Sequence, residues 1–209
     1  MAKSGVIYLG SRPLAVAVNP GTKKLYLADN GSDSVIVADT VTKKVLKRIS
    51  VEGEPVAIGI NLGKNEIYLA AGDGLYFIDG KSDTLLDKLK LGGLPKKITV
   101  NEADGRIYVA DYRPNDGGIY MIDAATRSLV KKVDAEFPQA IAVNSNTGKL
   151  YSAQLGGGTV SPVITGMEMV PSGERITISG WTDQGHRLGG RIRILSDDSL
   201  DEKKEFFLQ

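Results

Sequence analysis

Cysteine is absent from the 209 residues, and histidine and tryptophan occur once each. Without cysteine there is no disulfide, no thiolate metal site, no covalently attached c-type haem and no cysteine nucleophile. The compartment is left open, because a chain without thiols is at ease in either redox state. A zinc centre draws on several His, Cys or carboxylate ligands, so the lone His186 does not make one, and neither a metal nor a cofactor is expected. No apolar run approaches the ~18 residues that mark a membrane span. No apolar core follows MAKS at positions 1–4, so no signal peptide is read there; cytoplasmic residence does not follow from that. Excess charge is missing too. The formal net charge is +1, which exerts no general pull toward nucleic acid. Nor does any stretch show a sustained helical period with caps.

What the chain does have is a repeat. Tyrosine marks it in KLYLAD, EIYLAA, RIYVAD and KLYSAQ, placing Tyr26, Tyr68, Tyr108 and Tyr151 at separations of 42, 40 and 43. Asp39, Asp79 and Asp123 close the next apolar run at separations of 40 and 44. Pro13, Pro55, Pro95 and Pro138 open each unit, 42, 40 and 43 apart. Within residues 12–53, LAVAV reads as strand a, NPGTK as a turn, KLYLAD as strand b, NGSD as a turn, SVIVAD as strand c and KVLKRISV as strand d. Strand d mixes Lys and Arg with apolar residues, as an outer edge exposed to water does. Four antiparallel strands per unit of roughly 40 residues is the blade of a β-propeller.

The expected fold class is therefore all-β, a propeller of four-stranded antiparallel blades with about five units, the fourth incomplete. Residues 1–4 are read as a disordered start and VIYLG near 5–9 as an orphan strand d. Complete blades occupy 12–53, 54–93 and 94–136, and half a blade reaches 154, so 5–154 form the propeller part. LGGGTVSP (155–162) reads as a Gly-rich linker and 163–209 as a final blade, with Thr177 at the tyrosine position, GRIRILSD as its strand c and KKEFFLQ as its strand d. This inventory predicts either a larger ring completed by a second copy or another segment, or an irregular five-unit ring.

The phrase P-x-A-hydrophobic-x-V-N-x-x-x-x-K-hydrophobic-Y-hydrophobic-A, followed by a hydrophobic run ending in Asp, resembles the YVTN-type β-propeller repeat, strongly over 12–154 and loosely over 163–209. Similar repeats occur in surface-layer proteins, in periplasmic or secreted propellers and in propeller subunits of amine dehydrogenases; lactonases and a streptogramin lyase are also relatives. The resemblance implies an extracytoplasmic location (periplasm, secreted or cell surface) and a ligand face built from loops. Many such propellers have seven blades.

In antiparallel blades the d–a connectors and b–c loops share one end of the sheet. Here they offer Arg12, Glu54, Lys96, Lys97 and Gln139 from the connectors. The long loops 112–118 and 182–190, with Trp181 just before the second, add Tyr112, Arg113, Asn115, Asp116, Trp181, Asp183, His186 and Arg187. Loops carry binding more often than strands do, although solvated polar loops look the same in sequence. Asp183 three residues before His186 has the form of a base and its orienter, but an exposed loop histidine beside an Asp is usually neither. Asp29, Asn30 and Asp33 in DNGSD lack the rest of an EF-hand loop and read as an Asx-turn. LGGGTV lacks the Gly-Lys-Ser/Thr and helix of a phosphate loop. Trp181 suits packing at a strand end as well as binding.

Two function classes fit. One is a non-enzymatic binding or assembly module whose loop face takes a protein or small ligand, with possible self-association to complete the ring. The other is a propeller enzyme of the lactonase or lyase type. A single-stranded nucleic-acid binder using Arg12, Lys96, Lys97, Arg113 and Arg187 is weaker, because Glu54, Asp111, Asp116 and Asp183 dilute the charge.

Overall fold

The computed structural model describes residues 9–154 apart from 115 and 136, together with the strand segments 167–169, 176–178, 191–196 and 199–207. Blade one is β1 (Pro13–Asn19), β2 (Lys24–Asp29), β3 (Ser34–Asp39) and β4 (Val45–Ser50), hydrogen-bonded in that order. Blade two is β5 (Pro55–Asn61), β6 (Glu66–Ala71), β7 (Gly74–Asp79) and β8 (Thr84–Lys90). Blade three is β9 (Pro95–Asn101), β10 (Arg106–Asp111), β11 (Gly118–Asp123) and β12 (Ser128–Asp134). All pairings within these sheets are antiparallel. The only described helical turn is Asn30–Ser32, in the loop read as NGSD.

The recurrent polar residues turn out to be turn-makers. Asp39, Asp79 and Asp123 each take two backbone N–H groups two and three residues on, at 2.6–2.9 Å, which folds the c–d turn. At the a–b turn Asn19 and Asn61 accept from the amide three residues on, Asn101 from the amide two residues on, and Asn144 from both. Both turns lie at one end of the sheets, because Lys24 pairs with Asn19 on one side and Asp39 on the other.

The core lies between blades. Tyr26, Ala28, Val35 and Val37 of blade one pack against Ile67, Leu69, Tyr76 and Ile78 of blade two, with Ile58 and Ile60 at the edge. Tyr68, Leu75 and Phe77 meet Ile107, Val109, Tyr120 and Ile122 of blade three in the same way, and Tyr108, Ile119 and Met121 meet Leu150 of the next blade. Inner strands β1, β5 and β9 stand side by side in chain order. Gly59 allows this closeness, since a Cβ there would sit 2.6 Å from Ile98 Cγ2.

Outer strands show one further regularity. Leu46, Leu86 and Val130 are each left without a partner opposite, forming the same bulge in β4, β8 and β12. A bulge turns an edge away from foreign strands. Exposed apolar residues such as Val45 and Leu46 sit there beside exposed Lys47 and Arg48, while Ile49 turns into the core.

The fourth sheet departs from the expected pairing. β13 (Pro138–Val143) and β14 (Leu150–Gln154) form its first two strands. β15 (Met167–Met169) and β16 (Ile176–Ile178) pair only with each other. β17 (Arg191–Ser196) then pairs with β14, and β18 (Ser199–Phe207) with β17, giving the order β13-β14-β17-β18. The strands read as c and d of a fifth unit thus supply c and d of the fourth. The chain writes the missing half of that blade after an inserted hairpin, and linear spacing places an insertion at a blade boundary when it lies inside a blade. The supposed orphan strand at 5–9 and the linker 155–162 fall almost wholly outside the described residues.

Candidate functional site

The end opposite the Asn and Asp turns is built by register. Pro13 faces Asp29, Pro55 faces Ala71, Pro95 faces Asp111 and Pro138 faces Gln154, so connectors and b–c loops meet there in every blade. The pairing slips immediately after each proline. Leu14, Val56, Lys96 and Gln139 are the extra residues of four equivalent bulges on the inner strand. Lys96, Lys97 and Gln139 were expected in connectors; they lie instead in β9 and β13, because the strand begins at the proline itself. Bulges re-aim side chains at the mouths of sheets. Here one structural position carries Leu, Val, Lys and Gln in four successive blades.

Two blades tie this end with a buried aspartate. In blade one Asp29 accepts from Arg12 N at 2.7 Å, Ser11 N at 3.1 Å and Ser32 Oγ at 2.6 Å. Burial alone would raise its pKa; the Ser32 hydroxyl and the two amides outweigh that and hold it below the ordinary value. The backbone of Arg12 is what the fold uses, while its side chain is exposed. In blade three the equivalent Asp111 is wholly withdrawn from solvent. It accepts from Leu94 N at 2.9 Å, from Arg113 Nη2 at 2.8 Å and Nε at 2.9 Å, and from the Tyr120 hydroxyl at 3.1 Å. Burial again works upward, and the Arg113 guanidinium with the amides and the phenol brings the carboxyl below its usual range.

Blade two has Ala71 at that position and solves the problem differently. Tyr76 OH donates to Glu52 O at 2.8 Å and lies 3.0 Å from Glu52 N, while Gly53 and Gly72 close the connector against the loop.

Among the described b–c loops, the one at 112–118 is longest, and it is braced at Arg113 and Asp116. Arg113 binds Asp111 and also Asp116, at 3.0 Å; Lys132 reaches Asp116 at 2.9 Å. Arg113 and Asp116, expected to face a ligand, are therefore committed to the loop's own architecture. Tyr112 sits edge-on to Phe137 of the next connector, with ring centroids 5.5 Å apart. Lys96 and Lys97 are exposed and carry no ion pair among the described residues. Lys97 occupies the register held by Ala15, Ala57 and Ala140 in the other blades. Gln139 is half-buried, and its Nε2 is buried without a hydrogen-bond partner among the described residues.

Trp181, Asp183, His186 and Arg187, with Asn115, lie outside the described residues. Sequence reasoning missed Phe137 and Tyr120. Phe137 precedes the repeat-opening Pro138 where Arg12, Glu54 and Leu94 stand in other units; aligning the units at that column is the signal that finds it.

Residues 15–161 match the model of a family described as Domain of unknown function (DUF5074). A stretch of 124 residues, 57% of the chain, is 27% identical to the seven-bladed beta-propeller protein Rv1057 of Mycobacterium tuberculosis. The chain spans about a third of that relative's length, 32%. Among solved structures it is similar to Kuenenia stuttgartiensis hydrazine synthase, with a TM-score of 0.72 at 16% identity, over 100% of this chain and 69% of that one. At that identity the likeness concerns the fold alone; the Mycobacterium tuberculosis relative is named as a β-propeller, and the four-stranded antiparallel blades of this chain are of that fold.

Proposed function

The chain belongs to the family described as Domain of unknown function (DUF5074), and from that β-propeller frame we propose that it is a non-enzymatic binding or assembly module acting through the loop end of blade three. The observation that carries this reading is where the repeats stop agreeing. Positions common to all blades make turns and inter-blade packing. Blade three alone places exposed Lys96 at the bulge, Lys97 in an alanine register, and a braced long loop presenting Tyr112 against Phe137. An aromatic held on a braced loop, at the same end of the blade as two exposed lysines that carry no ion pair among the described residues, suits an acidic segment of a protein partner: a pre-ordered surface loses little entropy on binding, and exposed lysines steer an anionic surface toward it. Reading the repeat as YVTN-type carries with it an extracytoplasmic setting, where such a module would assemble with surface or secreted components.

Site-specific photo-crosslinking in the source cells tests the proposal. A crosslinking residue at position 112 or 97 captures a discrete partner, and the same residue at Leu62, at the opposite end of the sheets, does not. The pair Lys96→Glu and Lys97→Glu removes the adduct at 112. Equal capture at 62, or capture at 112 that survives both reversals, refutes it.

A further inference from the structure

One repeated feature serves neither a turn nor the packing between blades. The sixth and seventh residues after the aspartate of each c–d turn are aliphatic in three successive blades: Val45 and Leu46, Leu85 and Leu86, Leu129 and Val130. All six are 39–50% exposed. Register sets the pairs at one level. Val45 faces Ala38, Leu85 faces Ile78 and Leu129 faces Ile122, each beside its turn, and the following residue forms the bulge. The pairs thus stand at the turn end of the outer strands, where Val41 and Leu62 are exposed as well. Single aliphatics scattered on a surface are ordinary; a set repeated at one level is not.

Charge at this end is sorted by direction. Lys23 and Lys64 on a–b turns, and Lys44 and Lys81 on c–d turns, are exposed and carry no ion pair among the described residues. The carboxylates are mostly occupied. Asp39, Asp79 and Asp123 hold the amides of their own turns. Asp83 pairs with Lys24, and Glu66 with Arg127. Glu102 accepts from Leu62 N at 3.0 Å and from Gly63 N at 3.3 Å, and Asp104 accepts from Arg106 N. Asp87, beside the second aliphatic pair, is the exposed exception.

We propose that this turn end docks on an anionic lipid surface, the aliphatic pairs entering the headgroup region and the turn lysines meeting the lipid charges. Aliphatic side chains and lysines are what such a surface takes up. Protein interfaces favour aromatics and arginine and are poor in lysine. Here the four unpaired cations are lysines, and no aromatic side chain is exposed among the described residues. Single-stranded nucleic acid would likewise want aromatic faces for its bases. Addition of a foreign strand needs an unbroken ladder, and the bulge interrupts the edge at each pair. This surface lies at the opposite end from the loops of blade three and is independent of the partner assigned there.

Flotation of the full chain with vesicles tests it. The chain should float with phosphatidylcholine vesicles that contain phosphatidylglycerol, remain behind with phosphatidylcholine alone, and bind less as salt is raised. Lys44→Glu with Lys81→Glu should weaken binding at least about tenfold. Lys96→Glu with Lys97→Glu makes the same change in net charge at the other end and should leave it unchanged. Because the chain has no cysteine, Leu86→Cys carries a polarity-sensitive fluorophore at one place. Its emission should shift to the blue on addition of the anionic vesicles, and that of the same label at Lys97→Cys should not. The proposal is overturned if the chain does not float, if it floats equally with both vesicles, or if the two double reversals weaken binding alike. Binding without a shift at position 86 overturns it too, since the aliphatic pairs would then stay outside the lipid.

Discussion

Tyr26 of blade one donates its hydroxyl to Asp83 of blade two at 3.0 Å, and Lys24 places its ammonium 2.7 Å from the same carboxylate. Both side chains of the ion pair are largely withdrawn from water, at 16% and 10% exposure. Breaking such a pair strands a charge, which costs about 3 kcal/mol. Asp83→Lys should therefore lower the urea midpoint sharply, and Lys24→Asp with Asp83→Lys should recover more than half of the loss. Failure of the double variant to recover would assign the cost to the Tyr26 hydrogen bond rather than to the charge pairing.

Asp111 gathers a backbone amide, a guanidinium and a phenol in a site without solvent. Asp111→Ala leaves several donors unpaired at once and should destabilise by about 3 kcal/mol. Arg113→Ala should lower the melting temperature as well and free the 112–118 loop, seen as faster amide exchange there. Lys96→Ala and Lys97→Ala touch none of this and should leave the melting temperature unchanged.

Gly53 has φ +85°, and a Cβ on it would lie 2.6 Å from the Cα of Gly72. Both the left-handed backbone and the backbone-to-backbone clash oppose any side chain. Gly53→Ala should cost more than about 2 kcal/mol, whereas alanine at Gly92, which meets nothing within 4 Å, pays only for its φ of +71°. Chemical denaturation of the two variants in parallel separates strain from contact.

Blade architecture was legible because each marker has a local cause. Pro13 and its equivalents start the inner strand, Asp39 and its equivalents fold the c–d turn, and Tyr26 and its equivalents fill the gap between sheets. The fourth blade was not legible beyond Gln154. Its third strand, Arg191–Ser196, pairs with Leu150–Gln154 across an insertion of more than thirty residues, and periodicity cannot bridge an interruption of that kind. The bulge at Lys96 was hidden for a different reason: a one-residue slip in register leaves no mark on composition. Arg113 looked like a free cation in sequence because Asp111 appears as the end of a strand, not as a carboxylate turned back into the loop.

Acid should unfold the protein through these same aspartates. Asp29 and Asp111 are held below the ordinary carboxylate value against the upward effect of burial, and Asp39, Asp79 and Asp123 are lowered first of all by backbone amides of their turns, those of Thr42, Ser82 and Thr126. A group whose pKa is lower in the folded state binds fewer protons folded than unfolded, so stability falls as pH falls. The contribution is complete above the unfolded carboxylate value of about 3.9 and is lost as pH drops from there through the folded values. Urea midpoints measured from pH 7 down to pH 2 should stay level at first and then decline steeply. The double variant Asp29→Asn and Asp111→Asn should begin lower at pH 7 and decline less, so that the two curves converge in acid. Curves that run parallel throughout would mean that these two carboxylates do not carry the acid sensitivity of the fold.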